Sequence, residues 1–346
     1  MLYPLLFPKL EYYGIKDPQL NVFKTFLTGR VQQVVFDNKE STFLEILAGL
    51  QQGSVLGPPL FVLVINDLPS LLPGRTLLYV DDTSFEATCD KFEAMVTMLD
   101  YMMKAAGSWF EANYLSINES KTDKICFSLK PGTKNSNFKD SVKLLGVHLD
   151  SKLTWEVHTQ QISNKLSRVI YLLRKLKNCV SQNMLIQAYH SFFHSHLLYA
   201  NILWGNSSGA AQVFLWQKKA VRILAGISQR ESCKPFFTYF NIMTLPSIFI
   251  YSNLVYVREN LTEFIPRARL HSYGTRGSSD LDVPITRLQK TIRSHKVMQV
   301  KLFNNLGLAS RSLEVNTFKR KLAKWLIDNA LYSVKEFYTF NNVDLV

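Results

Sequence analysis

No apolar run in this chain approaches the ~18 residues that a membrane-spanning helix needs. The densest stretch, Leu60 to Ile65, is short. The opening MLYPLLFPKLEYYG is apolar but interrupted by Pro4 and Pro8. It has no basic leader and no small-residue cleavage site, so no signal peptide is expected. Cysteine is scarce: Cys89, Cys126, Cys179 and Cys233 are widely separated and form no CxxC pair. That argues against a disulfide framework or a zinc site and for buried reduced thiols in an intracellular protein, nuclear or cytoplasmic. His190, His194 and His196 fall on one helical stretch, but no His-Glu-x-x-His pattern accompanies them, and Phe192, Phe193 and Tyr199 favour packing over a metal there. Gly53-Ser-Val-Leu-Gly57-Pro58 lacks the Gly-Lys-Ser/Thr ending of a Walker loop. Neither an internal repeat nor a low-complexity tract is present.

What is there points to a folded chain. Of its 346 residues 47% are apolar and 12% aromatic, enough for two or three packed units. Charge is unevenly spread. Residues 1–150 hold 14 Lys/Arg against 17 Asp/Glu, whereas residues 151–346 hold 26 against 10, an excess of 16. A basic half of this kind suits a polyanionic partner, because each phosphate contact releases counterions. A merely solvated basic surface fits the same count.

Residues 1–28 read as two short helices split at Gly14–Pro18. Val31–Phe36 and Thr42–Leu47 read as strands around turn residues, Leu60–Leu68 as a buried helix opened by Pro58, and Leu77–Val80 and Thr83–Ala87 as strands flanking Asp81–Asp82. A helix is expected from about Lys91 to Asn113, then strands over Lys124–Leu129 and Val142–Leu149. After Leu153 strand-like alternation stops, and long amphipathic segments follow: Trp155–Asn178, Gln182–Trp204, Ala210–Ala225, Arg287–Leu306 and Leu313–Leu331. The expected class is α+β, with a boundary near 150–155.

Tyr79-Val-Asp-Asp82 is the sharpest feature. Two adjacent carboxylates in a tight turn repel one another unless a cation lies between them, and Mg²⁺ is the natural candidate. An exposed hairpin turn is the plainer alternative. The surrounding order is more specific. Gln52-Gly53-Ser-Val-Leu-Gly57-Pro58 leads into Asn66-Asp67-Leu68-Pro69, then Leu77 to Thr83. Trp109, Asn113, Leu115, Asn118 and Lys121-Thr122 come next, followed by Leu144-Leu-Gly146-Val-His-Leu-Asp150 and Leu153-Thr-Trp155. Further on stand Tyr189-His-Ser191, Trp204-Gly205, Gln217-Lys-Lys-Ala-Val-Arg222 and His271-Ser-Tyr-Gly-Thr-Arg276. In this order the motifs resemble the reverse transcriptases of non-LTR retrotransposons, the jockey-like group especially.

The resemblance implies a partial reverse-transcriptase palm over 1–150, a helical thumb-like region over 151–230 and a helical C-terminal domain over 231–346. It implies RNA-directed DNA polymerisation with Mg²⁺, an RNA template, a DNA primer and deoxynucleotides, and no small-molecule cofactor. Asp81 and Asp82 are the expected metal-binding acids, with Lys121 near the nucleotide phosphates as a general acid. Gln52, Gly53 and Tyr79 would contact nucleotide and template, and Leu145, Gly146 and Val147 would grip the primer. Lys121 also fits a plain surface lysine, and Gly146 a turn glycine. Lys165, Arg168 and Lys175, with Lys218, Lys219 and Arg222, are expected to meet phosphates, since aromatic residues are interleaved with them. No endonuclease or ribonuclease H acid set is recognised. Two departures matter. In the family a Phe-Asp strand immediately precedes the segment matched here by Leu5-Leu6-Phe-Pro-Lys9-Leu10 and Tyr13-Gly14-Ile15, so the first catalytic aspartate would fall upstream of Met1. Gln51 stands where the family usually has proline. The expectation is an N-terminally truncated, catalytically impaired chain. The alternative is a non-enzymatic nucleic-acid-binding remnant of a transposable element.

Overall fold

The structure is a computed structural model and describes residues 2–51, 53–128, 137–270, 277–286, 289–292, 294–340 and 342–345. It forms two compact units, Met1–Thr122 and Asp123–Val346.

In the first unit α1 (Tyr3–Tyr12) and α2 (Gln19–Leu27) pack with α3 (Gly57–Ile65) around Leu6, Leu10, Leu20, Leu27, Leu60 and Val64. Ser54 fixes the start of α3 by accepting from the Gly57 amide at 2.9 Å. Lys9 fastens α1 to the end of α3. Its ammonium donates to the Val64 carbonyl at 2.8 Å, pairs with Asp67 at 3.0 Å, and stands 4.7 Å from the Trp109 ring. Between α2 and α3 the expected long strands shrink to two short ladders, β1 (Val31–Gln32) with β4 (Leu44–Glu45) and β2 (Val35–Phe36) with β3 (Lys39–Glu40). The cause is local: Asp37 and Asn38, at φ +48° and +58°, close a two-residue turn that reverses the chain after Phe36.

The hairpin β5 (Arg75–Tyr79) and β6 (Asp82–Glu86) follows, then α4 (Phe92–Ala112). Alternation decides what each strand residue does. Leu78 and Phe85 face inward onto a core holding Met102, Ala106 and Trp109 of α4, while Leu77 and Tyr79 are exposed.

The second unit begins with the hairpin β7 (Ser141–Leu144) and β8 (Val147–Asp150), which lies against α5 (Glu156–Leu176). The unit division therefore falls at Thr122–Asp123, earlier than the expected 150–155, because this hairpin packs with the helices that follow it. No strand forms over the described part of 124–129; β7 finds its partner locally across the Leu145–Gly146 turn. Further helices are α6 (Gln182–Ala188), α7 (Ser195–Leu198), α8 (Asn201–Trp204), α9 (Ala210–Ala225), α10 (Lys234–Tyr239) and α11 (Leu245–Glu259). The last are α12 (Gln289–Ile292), α13 (His295–Asn304), α14 (Leu308–Arg311), α15 (Val315–Asn329) and α16 (Val334–Phe337).

The segment expected as one helix from Gln182 to Trp204 is interrupted twice, by a π-helical turn over Tyr189–His194 and by a break at Tyr199–Ala200. One hydrophobic cluster joins α5, the 182–204 segment, α9 and the start of α11 through Leu166, Tyr189, Trp204 and Val213. A second joins the rest of α11 to α13 and α15 through Phe249, Phe303, Phe318 and Leu322. Gly209 lets α9 begin close to α5: a Cβ there would stand 2.1 Å from the Thr159 hydroxyl. Gln217 is fully buried and fully used. Its amide nitrogen donates to the Tyr189 hydroxyl at 3.0 Å and the Met243 carbonyl at 2.8 Å, and its oxygen accepts from the Leu245 amide at 2.7 Å.

Candidate active-site turn and nucleic-acid interface

The acid pair sits at the tip of the β5–β6 hairpin. Tyr79 pairs with Asp82, leaving Val80 and Asp81 as the two turn residues. Val80 has φ +54°, a left-handed conformation costly for a β-branched side chain. Backbone strain of this kind concentrates where function needs it. Asp81, Asp82 and Tyr79 are all exposed. Two carboxylates in adjacent positions offer the hard oxygen donors that Mg²⁺ takes. Among the described residues no group of three or more His, Cys, Asp or Glu side chains gathers at one place, so the turn by itself brings two acid ligands.

The other expected residues of this unit lie in two places. Gly53 is an exposed turn residue at φ +83°, just before α3, and Gln52 lies outside the described residues. Lys121 is exposed at the end of a short 3₁₀ turn, where its amide donates to the Asn118 side-chain oxygen at 3.3 Å.

In the second unit Leu145 and Gly146 form the two-residue turn of the β7–β8 hairpin, at φ +46° and +81°, and Val147 is buried. Asp150 closes this hairpin and starts α5. Its carboxylate accepts from the amides of Lys152 at 3.2 Å, Thr154 at 2.8 Å and Trp155 at 2.7 Å, while only 8% exposed. Leu153 and Trp155 take left-handed conformations inside that loop, at φ +51° and +66°. Replacing Asp150 by alanine strands three donors and is expected to cost about 2–4 kcal/mol, read as a lower urea midpoint. Asp150→Asn, able to accept at one oxygen only, should recover part of it. The motif Leu149-Asp150-Ser-Lys-Leu-Thr carries the signal for this turn, since Asp commonly accepts from backbone amides two or more residues on.

Lys165, Arg168 and Lys175 are all exposed on α5, at spacings that keep them on one stripe. On α9 each lysine covers an aromatic ring: Lys218 lies 4.8 Å from Phe214, and Lys219 lies 4.2 Å from Trp216. Arg222 is partly committed, with Nε donating to the Glu231 carbonyl at 3.1 Å. The structure adds Lys234, which shares the Tyr332 ring with Lys218 at 5.4 Å and 5.3 Å. Nothing in the sequence spacing places residues 218, 234 and 332 together. The His271 to Arg276 motif lies outside the described residues.

The histidines act as packing groups. Burial first, then His148 and Lys165, pushes His158 down to about 4, and burial followed by His190 does the same to His194. Each keeps one ring nitrogen buried without a partner, Nε2 of His158 and Nδ1 of His194.

Residues 4–149 match a family model described as reverse transcriptase (RNA-dependent DNA polymerase). This stretch holds the acid turn and all but the last residue of the β7–β8 hairpin, so the chain is similar there to the reverse-transcriptase family. Its relatives narrow the class. The chain is 28% identical over 229 residues to the probable RNA-directed DNA polymerase from transposon X-element of Drosophila melanogaster, covering 60% of this chain and 25% of the relative. It is 28% identical over 232 residues to the RNA-directed DNA polymerase from mobile element jockey of the same fly, with the same coverage. A jockey polymerase from Drosophila funebris is 28% identical over 240 residues, 62% of this chain and 26% of that protein. The chain is thus a relative of non-LTR retrotransposon reverse transcriptases, and it spans about a quarter of the length of these curated relatives. No solved structure matches it.

Proposed function

We propose that this chain carries the acid turn and the downstream nucleic-acid-binding helices of an RNA-directed DNA polymerase, acting with an RNA template, a DNA primer and deoxynucleotides. The observation that carries this reading is the Tyr79–Asp82 hairpin tip, with both carboxylates open to solvent inside the family-matched segment. Asp81 and Asp82 would hold Mg²⁺, whose chemistry there would be to stabilise the charge that develops in phosphoryl transfer. Gln52, Gly53 and Tyr79 border the nucleotide and template, and Lys121 supplies a proton near the phosphates. Leu145, Gly146 and Val147 form the primer grip. Residues 1–150 correspond to a partial palm, 151–230 to a thumb and 231–346 to a C-terminal helical domain.

Among the described residues the turn contributes two carboxylates and no third acid gathers with them. The 346-residue polypeptide is therefore expected to bind the metal weakly and to give no Mg²⁺-dependent primer extension above background. Mn²⁺ should broaden the NMR signals of Tyr79 to Asp82 in the wild type and leave them sharp in Asp81→Asn/Asp82→Asn. Sharp signals in both proteins would remove the metal role. Primer extension that disappears in Asp81→Ala would show that two acids suffice.

A second reading, a non-enzymatic nucleic-acid-binding remnant, is favoured by the basic excess after residue 150 and by the lysines laid over Phe214 and Trp216. Salt-dependent binding without a metal response at the turn would favour it.

A further inference from the structure

The break between α7 and α8 is a built feature. Helix α7 ends at Leu198, Tyr199 turns extended with ψ 120°, and Ala200 goes left-handed at φ +51° before α8 begins. Two carbonyls freed by the break are taken up by side chains. The buried Asn201 donates to the Leu197 carbonyl at 3.0 Å, and the Trp204 indole donates to the Tyr199 carbonyl at 3.0 Å. Trp204 is itself fully buried, with the ring of His158 edge-on at 5.8 Å. The backbone at Tyr199 is therefore anchored in the core, while its ring, 54% exposed, leaves the helical path.

That ring reaches the tip of the β7–β8 hairpin, 54 residues away in sequence. The Tyr199 hydroxyl donates to the Leu145 carbonyl, and the ring edge stands 3.5 Å from the place a Cβ on Gly146 would occupy. Leu145 is held at φ +46°, where a side chain other than glycine or asparagine is disfavoured, yet it stays 40% exposed. An exposed, strained apolar residue is kept at a hairpin tip by a phenol from a distant helix break. Lys165 of α5, exposed, also lowers the pKa of His148 of β8 and of His196 of α7 after burial, so its charge acts on the second strand of the same hairpin.

We propose that Tyr199 is a positioning residue: it fixes the Leu145–Gly146 tip so that the tip's backbone meets the sugar-phosphate backbone of a paired nucleic-acid strand. This rests on the nucleic-acid reading above and adds a residue to it. The phenol contributes no charge to the partner and works by holding the tip at one height. Its loss therefore changes affinity without changing the number of phosphates neutralised.

The test uses the full 346-residue chain, the single-atom variant Tyr199→Phe and, for contrast, Lys165→Ala. Binding of a fluorescein-labelled primer–template duplex is followed by anisotropy over a salt series, and hydrogen exchange is followed in the 141–150 peptide. For Tyr199→Phe the expected results are faster exchange at the tip, a dissociation constant raised about three- to tenfold by the loss of one hydrogen bond, and an unchanged melting temperature and salt slope. For Lys165→Ala the slope should fall by about 0.7–0.9 with tip exchange unchanged. If the wild type does not bind the duplex, the nucleic-acid reading falls and the inference with it. If the wild type binds and Tyr199→Phe matches it in affinity and exchange, that reading stands and the positioning role is overturned. A reduced salt slope in Tyr199→Phe would also overturn it, by making the contact with phosphate direct.

Discussion

Replacing Lys218, Lys219 and Arg222 together by alanine is expected to flatten the plot of log affinity against log salt by about two units, with all sequences weakened alike. Basic side chains that meet phosphates fix position and carry no sequence code. Each contact adds roughly 0.7–0.9 to the slope, and three independent contacts would remove somewhat more than two units. The structure lowers the expectation, because Arg222 already donates to the Glu231 carbonyl. Lys218 and Lys219 carry most of the effect, each ammonium lying over an aromatic ring. Lys234→Ala should add a further step, since this residue shares the Tyr332 ring with Lys218. Anisotropy of labelled single-stranded and duplex oligonucleotides over a salt series reads all of this. A wild type without salt-dependent binding would leave the basic half as a solvated surface.

Mild acid is the second large lever. His158 and His194 have folded-state values pushed down to about 4, well below the usual 6.5. The unfolded chain therefore binds more protons than the folded one between pH 6.5 and about 4. Stability is highest above 6.5 and falls as the pH drops through that window. Over pH 6.5 to 5, where carboxylates stay mostly ionised, the two rings together should cost about 2–4 kcal/mol. Urea midpoints at the two pH values measure the drop. His158→Gln/His194→Gln should be less stable at neutral pH and should lose much of the pH dependence over this interval. An unchanged slope in that variant would assign the acid sensitivity to other groups.

The sequence by itself determined the reverse-transcriptase relationship, because that rests on residue types in a fixed order, from Gln52-Gly53 through Tyr79 to Asp82 and on to Leu144 to Asp150. It also determined the elements whose signals are local. Helices α4, α5 and α9 fall within a few residues of their expected bounds, since their periodicity and ends are written in neighbouring residues. The acid hairpin β5–β6 is of the same kind. Long-range contacts decided the rest. The stretch 124–128 looked like a strand but found no ladder among the described residues, because strand propensity states a preference and not a partner. The 182–204 segment kept its helical pattern across a break where Asn201 and Trp204 satisfy two carbonyls from within the core. The division at Thr122–Asp123 follows from the packing of the β7–β8 hairpin against α5, although the texture of the sequence changes only after the hairpin. The Tyr199 hydroxyl on Leu145 and the two lysines around Tyr332 join residues more than 50 and 90 positions apart. No spacing rule brings such residues together; packing of the two hydrophobic clusters does.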